Sequence, residues 1–338
     1  MLDIRLFRFD SNIDFTSYYK PYFYENFDFN TLRALLNDIK SGDPYFEFDG
    51  VKFCKINDVV VSLDEKFDVI LQNFGECLKI EPLSTYYAYK DLKFSTEEFD
   101  KKFEIFSAFN YEKSYYDTLI SLFYSSDMQK YADDFFGLSG FVFVKYLLEK
   151  FPSKKDEILN IVKAQMPYFT HPNFLNEPFE TEKTYDFLCR FLAFRPYKYK
   201  KISQIPADFT PKHNFKDFNV AVYGDDLSNF LKIFALKNVK FDAQNSPNGA
   251  QIFNVNKEIA IKLASKVLFD VFDSGADFLL VNDERDFEIF DGCSKEIKRF
   301  SNRDLPNFYV LKFDEFLALA SGEKPASLEN HKLKVTLI

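Results

Sequence analysis

Between residues 218 and 320, short apolar runs alternate with amphipathic stretches, and this alternation restricts the possible folds more than any other feature of the chain. Phe218–Tyr223 reads as a buried strand, Asp226–Leu236 as a helix and Val239–Asp242 as a strand. Asn256–Asp273 reads as a long amphipathic helix, Phe278–Val281 as a strand directly after Gly275, Phe308–Leu311 as a last strand and Asp314–Ala320 as the helix after it. Strands that alternate with helices pair in parallel through right-handed crossovers, so this region is expected to be an α/β domain with a mainly parallel sheet.

The first third has a different pattern. Ile4, Leu6, Phe7 and Phe9 stand among polar neighbours, and Tyr18–Phe29 continues as an aromatic strand pattern, which together suggest an opening hairpin. Asn30 or Thr31 can cap a helix whose face is Leu32, Leu35, Leu36 and Ile39, stopped by Ser41-Gly42-Asp43-Pro44. Strands are expected at Tyr45–Phe48, Val51–Ile56, Val59–Ser62 and Cys77–Glu81, with Asp49-Gly50 and Asn57-Asp58 as turns. Two strands, a helix and further strands in this order suggest a β-grasp. From Thr96 the period becomes helical, with Phe99, Phe103 and Phe106, then Tyr116–Phe123, Leu138–Phe151 and Ile158–Met166. Residues 167–216 are rich in proline and read as extended wrapping with one helical stretch near Tyr185–Phe194. The expected organisation is a β-grasp domain at 1–95, a helical domain at 96–200, a linker at 201–215 and an α/β domain at 216–338.

Composition narrows the functional classes. With 43 Lys+Arg against 52 Asp+Glu the net charge is -9, and no basic stripe is present, which argues against nucleic-acid binding. The 44 Phe and 20 Tyr, with no Trp, read as the cores written by an AT-rich genome; base or sugar stacking would need rings on a basic or polar cleft, whereas these mostly alternate with acids. Cys54, Cys77, Cys189 and Cys293 are far apart with no C-x-x-C pair, so neither a zinc site nor a disulfide framework is signalled. The opening MLDIRLFRFD lacks the apolar run of a signal peptide, and no stretch reaches the roughly 20 residues that span a bilayer. A cytoplasmic protein without direct membrane insertion is expected, peripheral to a membrane only through a partner.

Several motifs carry a family resemblance. Cys77-Leu-Lys-Ile-Glu-Pro-Leu83, then Tyr89-Lys90-Asp91-Leu92 and Phe99, resemble the end of the ferredoxin-like domain in iron–sulfur subunits of succinate dehydrogenase and fumarate reductase. Thr31–Leu36 is similar to the "TVLDAL" helix of that family, Phe53–Asn57 stands at its cysteine turn, and Asp134–Gly140 resembles the helix start after its "C-x-x-C-G-x-C" motif. The last third resembles the cysteine-rich domain in the B-type component of heterodisulfide reductase. There Asn245–Gly249 takes the place of "C-C-G", Ser274–Val281 resembles "x-G-A-D-x-I-V-T", and Leu305–Gly322 resembles the closing strand and helix. The resemblance implies a β-grasp ferredoxin-like domain, a helical ferredoxin-like domain and a C-terminal α/β domain.

The cluster ligands of these families are missing. An iron–sulfur cluster takes about four thiolates or their equivalents, and Cys54 alone stands near an expected turn. Tyr116–Ser126 offers Leu, Ser, Phe and Tyr in place of thiolates, Ser246, Pro247 and Asn248 replace "C-C-G", and Asn282–Arg285 replaces "C-P-x-C". Cys54, Ser246, Pro247, Asn248, Asn282 and Arg285 are therefore vestigial cluster positions, with no cofactor, metal or catalytic residue expected. The resemblance implies a non-catalytic scaffold with a protein partner, a flavoprotein or a respiratory-complex subunit. Two alternatives remain open: electron transfer through a cluster in an unfamiliar cysteine arrangement, and a metal-dependent enzyme or sensor using Asp283, Glu284 and Asp286 with Asp225 and Asp226. A lone Cys54 between Phe53 and Lys55 reads as a small buried hydrophobe, and His171, His213 and His331 are isolated, with no ligand spacing.

Overall fold

The structure is a computed structural model that describes residues 1–126, 128–196, 209–213, 215–224, 234–244 and 246–335. The chain divides into two compact units, Met1–Arg195 and Pro196–Ile338. The expected junction at 95–96 falls inside the first of them.

The first unit opens with a five-stranded sheet. Strands β1 (Leu2–Arg8), β2 (Tyr18–Tyr24), β3 (Phe53–Ile56), β4 (Val59–Ser62) and β5 (Cys77–Glu81) take the order β2-β1-β5-β3-β4. The central β5 runs parallel to its neighbour β1 and the other pairs are antiparallel, with helix α1 (Leu32–Gly42) between β2 and β3, which is a β-grasp arrangement. Period-two alternation sends Leu2, Ile4 and Leu6 to one face, where they form a single buried cluster with Leu32, Leu35, Leu36 and Ile39 of α1. Thr31 caps that helix, its side chain accepting from Ala34 N–H at 3.2 Å. Helix α2 (Phe67–Phe74) joins β4 to β5; it buries only Phe67 and Ile70, too short an apolar stripe to show in the sequence.

The strand expected at Tyr45–Phe48 is irregular chain. Its apolar residues do enter the core, Phe46 stacking on Phe48 at 5.4 Å. Its backbone, however, bonds to the distant loop at 91–92: the Asp91 carboxylate accepts Glu47 N–H at 2.8 Å and Leu92 N–H donates to Glu47 O at 3.3 Å. The pattern reported burial, and the loop at 91–92 took the hydrogen bonds a ladder would need. That loop joins β6 (Ala88–Lys90) to β7 (Lys93–Phe94). Part of the proline-rich stretch adds to the free edge of β4, with Val60 N–H donating to Asn173 O and Leu175 N–H donating to Val60 O.

Among the described residues, six further α-helices belong to this unit: α3 (Glu97–Phe103), α4 (Lys113–Asp117), α5 (Ile120–Phe123), α6 (Gly137–Lys150), α7 (Lys155–Lys163) and α8 (Thr181–Leu192). The single helix expected at Tyr116–Phe123 is broken between α4 and α5, where the Thr118 hydroxyl donates to Tyr115 O at 2.6 Å and competes with helix continuation. Aromatic rings fill the interior. Phe99 stacks on Tyr116 at 4.4 Å, and Phe106 meets Phe136 at 5.8 Å and Phe143 at 5.0 Å. Gly137 opens α6 at φ +80°, and a Cβ there would clash with the Phe123 ring, so that ring packs directly against the backbone.

The second unit holds a parallel sheet of β8 (Asn219–Val222), β9 (Lys237–Asn238), β10 (Phe278–Val281) and β11 (Tyr309–Lys312), in the order β11-β10-β8-β9. The mainly parallel α/β fold expected from alternation is what the chain adopts. Helices α9 (Lys257–Asp273), α10 (Glu284–Phe287), α11 (Ser294–Ser301) and α12 (Phe313–Ala320) surround it, with a π turn at Glu288–Gly292. β10 is buried along its whole length, as a central parallel strand should be. The strand expected at Val239–Asp242 is instead the short β9. After Val239 N–H donates to Val220 O, the chain turns away, drawn to α9 by Ala243 N–H donating to Asp270 Oδ2 at 2.7 Å. Most of the helix expected at Asp226–Leu236 and most of the linker at 201–215 lie outside the described residues, and residues 234–236, the described end of that stretch, are turn and irregular chain and not helix. Among the described residues, no helix is long and apolar enough to cross a membrane.

Candidate functional site

Because the strands of the second sheet are parallel, their carboxyl ends share one edge, the place where open α/β sheets put ligands. β8 ends there at Tyr223-Gly224, β10 at Asn282-Asp283 and β11 at Lys312. The stretch from Ser246 to Gly249 folds over this edge: the Tyr223 hydroxyl donates to Ser246 O at 2.6 Å and Gly224 N–H donates to Gln244 O at 3.1 Å. Asn248 is buried, its Nδ2 donating to Asp286 Oδ1 at 2.6 Å while its Oδ1 accepts Ala250 N–H at 3.0 Å. Asp283 Oδ1 accepts Arg285 N–H at 2.9 Å and caps α10. Asn282 and Arg285 are half-buried, and Pro247 is exposed.

Two stretches nearly forty residues apart, Ser246–Asn248 and Asn282–Asp286, are thus joined by one buried amide–carboxylate hydrogen bond. The acids Asp283 and Asp286 are both engaged in such bonds, while Asp225 and Asp226 lie outside the described residues. Gly249 makes the closure possible. It has φ +81°, and a Cβ would lie 2.5 Å from Ala260 Cα on α9. Gly249→Ala is expected to cost about 1–3 kcal/mol from backbone strain alone, read as a lower unfolding midpoint in urea; an unchanged midpoint would mean that the loop relaxes without needing glycine.

Beside this edge is a buried polar cluster that sequence reasoning missed. His331, expected to be isolated, is 1% exposed, with Nε2 3.1 Å from Glu315 Oε1 and Nδ1 4.0 Å from Asp291 Oδ1. Burial pushes the Asp291 carboxyl up, against the opposing effect of the Lys332 and Leu333 N–H groups, which donate to it at 2.8 and 3.0 Å. Burial also works to raise Glu315, but His331, the Ser327 hydroxyl and Lys312 N–H together hold that carboxyl below its usual range. No local spacing could have shown this, because the three groups meet only in the folded unit. His171 is exposed beside Glu182 at 2.9 Å.

The cysteines occupy separate elements. Cys54 is fully buried on β3 within the cluster that holds Phe46, Phe48 and Ile56, and burial drives its thiol far above the ordinary value, so it is the inert small hydrophobe expected from its neighbours. Register sets Cys54 apart from the exposed Cys77. The pairs Lys55↔Glu81 and Ile56↔Ile80 place Pro82 opposite Cys54, and Cys77 is five residues further along, or roughly 17 Å at about 3.4 Å per residue. Cys189 is buried on α8, and Cys293, half-buried between the π turn and α11, has its thiol raised by burial and by Glu296. Among the described residues, no group of three His, Cys, Asp or Glu side chains is placed to hold a metal ion. These residues do not fit an iron–sulfur cluster: the cysteines are dispersed, and the carboxyl edge is closed by an Asn–Asp bond.

Comparison with known proteins agrees with the reading of the last third. Residues 250–332 match the family of HdrB-like C-terminal domains. That match relates the second unit to iron–sulfur redox proteins while covering a minority of the chain. Among solved structures, the crystal structure of a hypothetical protein from Helicobacter pylori aligns over 100% of this chain and 98% of its own, with a TM-score of 0.76 and 17% identity, so the two share a fold. No curated protein matches the chain.

Proposed function

We propose that this protein is a cluster-less relative of iron–sulfur redox subunits and acts as a protein-interaction or assembly scaffold. In this reading, the β-grasp and helical parts descend from an iron–sulfur protein like that of succinate dehydrogenase or fumarate reductase, and the second unit from the B-type component of heterodisulfide reductase. The observation that carries it is the bond from Asn248 to Asp286, which joins the two stretches standing where cluster cysteines would be. A buried amide–carboxylate pair in place of thiolates needs no metal to hold it, because the Asn248 amide and the Asp286 carboxylate partner each other. The ring packing around Phe106, Phe136 and Tyr116 supports the same reading for the helical part. The partner is proposed to be a flavoprotein or respiratory-complex subunit, whose docking surface can outlast the loss of redox chemistry.

The test is iron and acid-labile sulfide content with a visible spectrum, on protein purified and kept without oxygen. Colourless, folded protein with far less than one iron per chain is expected. Iron and sulfide in stoichiometric amounts would overturn the reading and make the four cysteines ligand candidates.

A further inference from the structure

We propose that the second unit binds a small, soluble phosphate-bearing anion in a pocket lined by Lys298, Asn307, Phe308, Lys332, Leu333 and Lys334. The pocket has a volume of about 180 Å³, and its lining contains three lysines and no carboxylate. It is separate from the carboxyl edge of the sheet: Asn307 and Phe308 lead into the amino end of β11, whereas the candidate site lies where β11 ends at Lys312. The inference does not depend on the scaffold reading.

In a chain of net charge -9, three lysines around one small space are a local reversal of sign. Among the described residues, Lys332 and Lys334 take part in no ion pair. Lys334 Nζ donates to Glu329 O at 2.8 Å, which leaves it two further N–H donors. Lys298 is paired with Asp304 at 3.1 Å, but that carboxylate is 77% exposed, and an exposed pair of this kind contributes little. The repulsion among the three ammonium groups is therefore relieved best by an anion in the pocket. The backbone that carries them is fixed beforehand. Asp291 accepts Lys332 and Leu333 N–H at 2.8 and 3.0 Å, Leu333 is buried between the two exposed lysines, and Leu328 and Val335 on either side pack on the core of the second unit. Lys298 stands beside the fully buried Ile297 in the last turn of α11. Binding then needs little ordering of the chain.

The class of ligand follows from charge and size. Lysine ammonium groups hold phosphate oxygens as point charges, and Asn307 adds an amide donor. Small-molecule sites usually measure about 300–1,000 Å³, so the smaller space here selects a compact anion of one or two phosphoryl groups and not a whole nucleotide.

Titration calorimetry of inorganic pyrophosphate into the intact protein, at low ionic strength and without phosphate or sulfate, tests this. One saturable site per chain is expected. Lys332→Gln combined with Lys334→Gln is expected to weaken it by about tenfold or more, and both positions are exposed, so the fold is kept. Lys101→Gln combined with Lys163→Gln removes the same charge from exposed positions of the first unit and is expected to change the affinity by less than about twofold. Absence of saturable binding, an unchanged affinity in the first double variant, or an equal loss in both overturns the proposal, the last because net charge and not the pocket would then be acting. A lipid headgroup carries the same phosphate, and sedimentation with phosphatidylcholine vesicles containing phosphatidic acid separates the two sources. The protein is expected to stay in the supernatant; pelleting that the Lys332 and Lys334 substitutions abolish would overturn a soluble ligand in favour of a headgroup.

Discussion

Replacing Arg8 with methionine is expected to destabilise the first unit by about 3–5 kcal/mol, the usual cost of removing one partner from a buried charge network. Arg8 continues the period-two face of Leu2, Ile4 and Leu6, so its guanidinium enters the same interior as their side chains. There its Nε donates to Asp91 at 2.8 Å, its Nη1 donates to Asp43, and its guanidinium lies 5.6 Å from the Phe46 ring centre. Asp43 ends α1, and Asp91 also accepts Phe9 and Glu47 N–H, so one cation ties β1, the helix and the β6–β7 loop together. Removing it leaves two carboxylates in a site where they are less than a tenth exposed. Against a typical total of about 5–15 kcal/mol this is a large fraction. A urea titration of Arg8→Met measures it, and a loss below about 1 kcal/mol would show that Lys20, 2.7 Å from Asp43, compensates.

The same network sets an acid limit. Burial works against ionisation of Asp43, but Lys20, Tyr22 and Arg8 outweigh it and hold the carboxyl well below its usual range. A depressed carboxyl stabilises the fold at any pH above its unfolded value of about 3.9, and that contribution is lost as pH falls further. Unfolding midpoints should therefore hold steady above about pH 5 and decline below about pH 4, more shallowly in Arg8→Met.

The second large effect is expected at Phe106→Ala, at about 3–5 kcal/mol for a buried phenylalanine. Phe106 is fully buried and contacts Tyr116, Phe136 and Phe143 with ring centres 5.9, 5.8 and 5.0 Å away. The cavity would open in the region where the resemblance implies a cluster, yet no thiolate stands in Tyr116–Ser126 to hold one. The variant is expected to lose stability without gaining iron. Urea unfolding with an iron assay on the same sample measures both, and a loss below about 1 kcal/mol would mean that the neighbouring rings collapse into the space.

Period and turn chemistry made much of the fold legible. Leu2, Ile4 and Leu6 reported a half-buried strand and Leu32, Leu35, Leu36 and Ile39 a helix face, because both patterns are set by the repeat of the element itself. Phe46 and Phe48 show where that logic stops. Alternation signals burial, and whether a buried segment becomes a strand depends on which backbone finds it, here the loop at 91–92. Arg8 is a similar case: its position on the inward face was readable, but its two carboxylate partners were not.

At the candidate site the residue types alone show which positions lack thiolates, and the family resemblance marks Ser246–Asn248 and Asn282–Arg285 as two parts of one region. That Asn248 bonds Asp286 across that region, and that His331 is placed between Glu315 and Asp291, emerges only when the chain is folded. The reason is physical: element type follows from neighbours a few residues away, whereas the pairing of buried polar groups is fixed by chain crossings that bring residues tens of positions apart to within about 3 Å, the distance over which a hydrogen bond acts.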